Sequence, residues 1–270
     1  MRTLRKRIVA NRASRSRVGS GRDLDVCASL VWAGFLSTLQ VERLHFPSRR
    51  RAQRRLRALL DHGLVRAHLQ GGALERENVY VPTALAIDRL VERGDFGSER
   101  PVPPRLPAPQ KLAHALAIRD VFVSAVLVER TSASDLEVRF DSDLTRDPRF
   151  APHRLIPDLC LGVGGLVRLV VEVDRSTETT STIRTKLERW RSVATEQPVL
   201  ELVFVVGTDA RAATVLRLAA EAGVALEAVV VSQISAWLAA KWPREVAAPP
   251  DVTERPAEHA VRGLFRGVSR

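Results

Sequence analysis

The stretch from Arg154 to Trp190, RLIPDLCLGVGGLVRLVVEVDRSTETTSTIRTKLERW, most narrows what this chain can fold into. Two apolar runs, Leu155–Leu161 and Val167–Val173, flank the turn signal Gly162-Val163-Gly164-Gly165. That is the pattern of a β-hairpin. With the turn centred on Gly165, Asp158 falls opposite Glu172, and period-2 alternation puts Asp174 on the same face. The other face carries Leu155, Pro157, Leu159, Leu161, Leu169, Val171 and Val173 and is wholly apolar. The expected hairpin therefore has one buried face and one face holding three carboxylates. Like charges facing each other across strands repel, so the group needs a cation, a proton or a basic partner. A slip of one residue would send Asp158 and Glu172 to opposite faces. The plain alternative is a set of solvated acids on an exposed sheet face.

Pro-Asp, a gap, then Glu-x-Asp resembles the PD-(D/E)xK nuclease superfamily. The resemblance implies that Asp158 and Glu172 are ligands of a divalent metal, Mg²⁺ or Mn²⁺. The sequence departs from that pattern at the third position, where Asp174 stands in place of Lys. Some members draw the Lys from the following helix, and Lys186 is the one available nearby. Ile183, Leu187 and Trp190 make a helical core stripe with Lys186 at its edge, from which it can point back over the acids. In an endonuclease Asp158, Glu172, Asp174 and Lys186 would be the catalytic set. Lys186, or with less support Arg184, would steady the attacking water, and Asp174 would be a second ligand or a base. The competing reading of Lys186 is a solvated surface residue.

Charge supplies a second constraint. The formal net charge is +11 over 270 residues, which points to a polyanionic partner, most simply nucleic acid or an anionic membrane surface. Cys27 and Cys160 lie far apart on apolar patterns and read as buried free thiols. There is no Cys/His zinc spacing, no run of membrane-spanning length and no signal-peptide core, so a cytoplasmic protein without membrane contact is expected.

In chain order, residues 1–22 hold eight basic residues and no acidic one, and read as a disordered basic arm. Asp23 or Asp25 can cap a helix to about Phe35, and Ser37 or Thr38 a second. A third is capped by Ser48 and closed by Gly63. Its inward stripe is Ala52, Leu56, Leu59 and Leu60, and Arg49, Arg50, Arg54 and Arg57 face outward. Strands at Leu64–His68 and Asn78–Val81 flank a Gly71-Gly72 turn. Three helices followed by a hairpin form the winged helix-turn-helix pattern, whose third helix enters the major groove of double-stranded DNA. The competing reading is an Arg-rich solvated helix face. This domain is placed at 23–93, a Pro-rich linker at 94–110, a second domain at 111–242 and a loose tail at 243–270.

The second domain reads as helix, three strands, helix, strand, helix, strand, helix. The expected architecture is α/β, α+β over the whole chain: a winged helix followed by a PD-(D/E)xK-like mixed sheet flanked by helices on both faces. The chain as a whole resembles the replication-relaxation family of actinobacterial plasmids and other mobile elements. "FPSRRRAQRRLRALLDHGLV", "LAHALAIRDVFVSAV", "IPDLCL", "VVEVDRSTET" and "ELVFVV" carry this. Within them Glu172, Asp174, Arg175, Thr177 and Glu178 form the most specific segment. The family implies a DNA-binding role in plasmid replication, relaxation or mobilisation. Three functional classes stay open: a non-catalytic DNA-binding protein whose nuclease-like domain docks or dimerises, a metal-dependent DNA endonuclease, and an accessory partner of a relaxase, replication protein or transposase.

Overall fold

The computed structural model describes residues 18–69, 77–96, 100–131, 136–163 and 166–242, together with the backbone of residues 6–8. It is a mixed α+β chain in two compact units, Met1–Arg119 and Asp120–Arg270. Among the described residues no helix is long and apolar enough to cross a membrane. The tail at 243–270 and both Gly-rich turn tips lie outside the described residues.

The first unit is built from strand β1 (Lys6–Ile8), helix α1 (Gly21–Ala33), strand β2 (Leu36–Ser37) and helices α2 (Thr38–His45) and α3 (Arg49–Asp61). Strands β3 (Val65–Leu69) and β4 (Asn78–Pro82) and helix α4 (Ala84–Arg93) complete it. Its antiparallel sheet runs β1-β3-β4-β2. The inward stripe of α3 is as expected, with Ala52, Leu56, Leu59 and Leu60 buried. Gly63 takes φ +75°, a left-handed conformation that releases the chain from α3 into the hairpin.

Three expectations need correction here. The basic arm contains a strand, because Lys6–Ile8 pairs with the open edge of β3; most of the arm lies outside the described residues. Asp23 is not the N-cap of α1. Ser20 holds that position, and Asp23 Oδ2 reaches back to accept from the amides of Gly19 and Ser20 at 2.8 and 3.0 Å. Fully buried, Asp23 also receives the guanidinium of Arg55 from α3, which holds its carboxyl below the usual range although burial opposes this. The 94–110 segment does not mark the division between units. That division falls inside α5 (Pro109–Glu129), since Leu106, Leu112 and Leu116 pack against Phe35, Val79 and Val81.

The second unit follows with β5 (Leu136–Phe140), the single-turn helix α6 (Asp141–Leu144) and a 3₁₀ turn at Ala151–His153. Then come β6 (Leu159–Val163), β7 (Leu166–Asp174), α7 (Thr180–Glu196), β8 (Glu201–Val206), α8 (Asp209–Ala222), β9 (Glu227–Val230) and α9 (Ile234–Lys241). The sheet order is β5-β6-β7-β8-β9. β5, β6 and β7 are antiparallel neighbours, and β8 and β9 continue in parallel.

Both faces of this sheet are covered. On one, Phe122 of α5 packs on Phe140 with ring centroids 5.6 Å apart, and Ser235 of α9 donates to Ser124 of α5 at 2.9 Å. On the other, Cys160, Val170 and Phe204 meet Ile183 and Leu187 of α7 and Leu218 of α8. Between Leu161 and Gly162 the β6–β7 ladder shifts register. A Cβ at Gly162 would stand 2.3 Å from the Leu166 carbonyl oxygen, so only glycine admits the bulge.

Candidate functional site

Register decides where the carboxylates go. Leu159 pairs with Val171 and Cys160 with Val170, so the ladder carried one step further sets Asp158 opposite Glu172. Asp158 lies just before β6, half-buried, and its Oδ2 accepts from the Val173 amide at 2.7 Å. Glu172 and Asp174 share the face of Val170. That face lies under α7 and α8, and the side chains of Glu172 and Asp174 are 3% and 2% exposed. The plain alternative of solvated acids is thereby overturned for these two.

Buried charges require partners, and each acid has one. Lys186 Nζ donates to Glu172 Oε2 and to Glu178 Oε1, both at 3.0 Å. Thr179 caps α7 by accepting from the Thr182 amide, and the buried stripe Ile183–Leu187–Trp190 turns Lys186 toward the sheet. Lys186 is therefore not a solvated surface residue. Arg184 is not brought to the acids; it pairs with Glu221 of α8 at 3.0 Å.

Asp174, expected as a second ligand or a base, has two partners of its own. Arg211 of α8 grips Asp174 Oδ2, and the Ser176 amide donates to Oδ1 at 2.8 Å. A second Arg211 nitrogen donates to the Glu178 carbonyl at 2.7 Å. Ser176 itself sits at φ +60°, a conformation that its bond to Asp174 helps to hold. Arg211 and Glu178 are thus the residues of this cluster that the expected set lacked. Glu178 stood in view in the E-x-D-R-x-T-E segment. Arg211 had no signal in the spacing: only the parallel pairing of β7 with β8, which sets Asp174 beside Val206, brings the start of the helix that follows β8 near Asp174.

Burial raises the Glu172 carboxyl, Lys186 pulls it back and Asp158 pushes it up, leaving it at about 7 against an ordinary 4.5. Lys186 is raised as well: burial works against its charge, but Glu172 and Glu178 outweigh that. Folded protein keeps the Glu172 proton where unfolded chain has lost it. The stability this contributes is complete below pH 4.5 and disappears as pH rises through about 7. Wild type should therefore lose melting temperature relative to Glu172→Gln between pH 4.5 and 7. Parallel melting profiles of the two proteins over that window would contradict the assignment.

Residues 28–202 match the family model for replication-relaxation. The chain belongs to the replication-relaxation family. Comparison with curated proteins yields no match, and neither does comparison with solved structures. In this replication-relaxation chain the matched stretch holds α3, Asp158, Glu172, Asp174, Glu178 and Lys186, while Arg211 lies beyond it.

The third helix, α3, presents the other candidate surface. Arg49, Arg50, Arg54 and Arg57 are exposed, as expected, and so is Arg51. Arg49 stands 3.6 Å from Glu77, and Arg57 pairs with Asp61 at 3.0 Å. No acidic side chain among the described residues pairs with Arg50, Arg51 or Arg54. Arg55 is withdrawn from this face by its bond to Asp23.

A metal ion meets a mixed reception in the second unit. Asp158 and Glu172 offer hard oxygen donors of the type Mg²⁺ prefers, and Mg²⁺ is commonly held by only one or two carboxylates. Among the described residues no group of three or more His, Cys, Asp or Glu side chains is arranged to hold a metal. The Lys186 ammonium already lies against Glu172.

Proposed function

We propose that this replication-relaxation chain binds double-stranded DNA through α3 and acts in replication, relaxation or mobilisation of a plasmid or other mobile element. The supporting observation is the row Arg50, Arg51 and Arg54, exposed and without acidic partners among the described residues. Its setting agrees. Helix, short strand, two helices and a hairpin, with β2 closing on β4, is the order of a winged helix, whose third helix lies in the major groove. Guanidinium groups there meet phosphates and the edges of guanine. The second unit then serves as a docking surface, for a second copy or for a replication protein.

Binding that depends on phosphate contacts releases counterions. Anisotropy of a labelled duplex titrated with the full chain should give log K falling linearly with log salt, with a slope of roughly −3 or steeper for three or more neutralised phosphates. A flat dependence would sink this reading.

One observation favours a second reading, a metal-dependent DNA endonuclease. Lys186 reaches Glu172 from α7, with Asp158 across the hairpin, which is the donor set such a site needs. Asp158 and Glu172 would hold Mg²⁺ or Mn²⁺, and Lys186 would face the phosphate's developing charge. When bound, the metal would polarise a scissile phosphate and activate water. Plasmid nicking that requires Mg²⁺ or Mn²⁺ and is lost in Asp158→Asn would support it. Nicking that persists in Asp158→Asn would exclude this site as its source.

A further inference from the structure

The basic arm is the part of the first unit that the α3 contact leaves unused. Residues 1–22 hold eight basic residues and no acidic one, and β1 lies among them. This strand extends the β3–β4 hairpin by pairing antiparallel with the outer edge of β3. A strand so short can serve only to blunt an open edge. Its register goes further. Arg7 stands opposite His68, and period-2 alternation puts Arg66 on the same face, two positions along β3. Arg66 is exposed and has no acidic partner among the described residues. None of the strands β1, β2, β3 and β4 carries an acidic residue. On that face Val79 and Val81 of β4 are buried with Phe35 and Leu112, so the covered half ends at β4 and the basic half lies at the β1–β3 edge. Like charges on neighbouring strands repel, and an anion lying over them relieves the repulsion.

We propose that the β1–β3 edge is a second contact with the sugar-phosphate backbone of duplex DNA, in which pairing with β3 holds Arg7 of the arm beside Arg66. This rests on the reading of duplex DNA as the partner, and goes beyond it by giving the arm a fixed place in the interface. Guanidinium groups suit phosphate because they donate to its oxygens in parallel pairs. Contacts of this kind set the position of the protein on the duplex and carry no sequence information. A strand already paired in the sheet gives up less freedom on binding than a loose tail does. The expected signature is therefore local: charge within the paired strand counts, and equal charge elsewhere in the arm counts less.

The test compares two charge-matched variants of the full chain, Arg7→Gln/Arg66→Gln and Arg15→Gln/Arg17→Gln, by anisotropy of a labelled duplex across a salt series. Arg7→Gln/Arg66→Gln should weaken binding roughly tenfold or more near 0.1 M salt and make the salt slope shallower by about 2, one for each phosphate released. Arg15→Gln/Arg17→Gln removes the same charge from the arm outside β1 and should cost less than about threefold, since salt screens charges that make no direct contact. Without DNA, Arg7→Gln/Arg66→Gln should melt no lower than wild type, because the repulsion on that face is relieved. Equal losses in the two variants would make the arm an undirected tether and overturn the proposal. No loss in either would overturn it as well, and so would a variant that melts well below wild type, since the two residues would then serve the fold. Arg50→Ala/Arg54→Ala, measured alongside, separates the two contacts. If it loses affinity while Arg7→Gln/Arg66→Gln does not, only the β1–β3 contact falls; the reverse result removes only the α3 contact. A wild type that binds no duplex removes both.

Discussion

Arg211→Ala is expected to destabilise the second unit by about 3–5 kcal/mol, seen as a fall of roughly 10 °C in its melting transition. The Asp174 side chain is 2% exposed and Arg211 14%, so truncation strands a carboxylate that water cannot reach. The bond from Arg211 to the Glu178 carbonyl goes with it, and so does the anchor of the turn that carries Glu178 against Lys186. A buried pair can be worth little relative to an apolar pair while costing much to break singly. Replacing both partners, Asp174→Asn with Arg211→Met, should therefore recover more than half of the loss. A loss below about 1 kcal/mol for Arg211→Ala, as for an exposed ion pair, would mean that Asp174 is solvated in solution.

The same cluster marks the limits of reading this chain from its residues. The sequence offered Asp158 opposite Glu172 only on condition of register, because a slip of one residue would part them; the observed ladder pairs Leu159 with Val171 and keeps them opposite, with a bulge between Leu161 and Gly162 that no residue pattern announces. What covers the acidic face was not legible. α7 shows its stripe plainly, but the pairing of Asp174 with Arg211 spans 37 positions and depends on β8 lying parallel to β7. Sequence spacing carries no trace of that pairing. β1 and β2 are three and two residues long, too short for any period to declare itself, and their pairing comes from the edges of β3 and β4. The Pro-rich run suggested a joint, yet α5 is apolar around much of its circumference, which conceals that its first half packs with Phe35, Val79 and Val81. The Arg row of α3 was legible in full except for Arg55, whose spacing does not reveal that Asp23 draws it inward.

The central claim is that α3 carries the contact with DNA. Arg50 and Arg54 lie one helical turn apart, exposed, outside the buried stripe and without acidic partners among the described residues. Replacing them removes charge without removing core, so the fold should be retained; surface changes of this kind stay within about 0.5 kcal/mol. Arg57 already shares its charge with Asp61 and should matter less. Each contact to a phosphate or base edge is worth about 1–3 kcal/mol, so losing both should weaken binding by about 30-fold or more. The direct measurement is fluorescence anisotropy of a labelled duplex with wild type and with Arg50→Ala/Arg54→Ala at matched salt. The account predicts that loss, with a shallower salt dependence in the variant; equal affinity of the two folded proteins would contradict it.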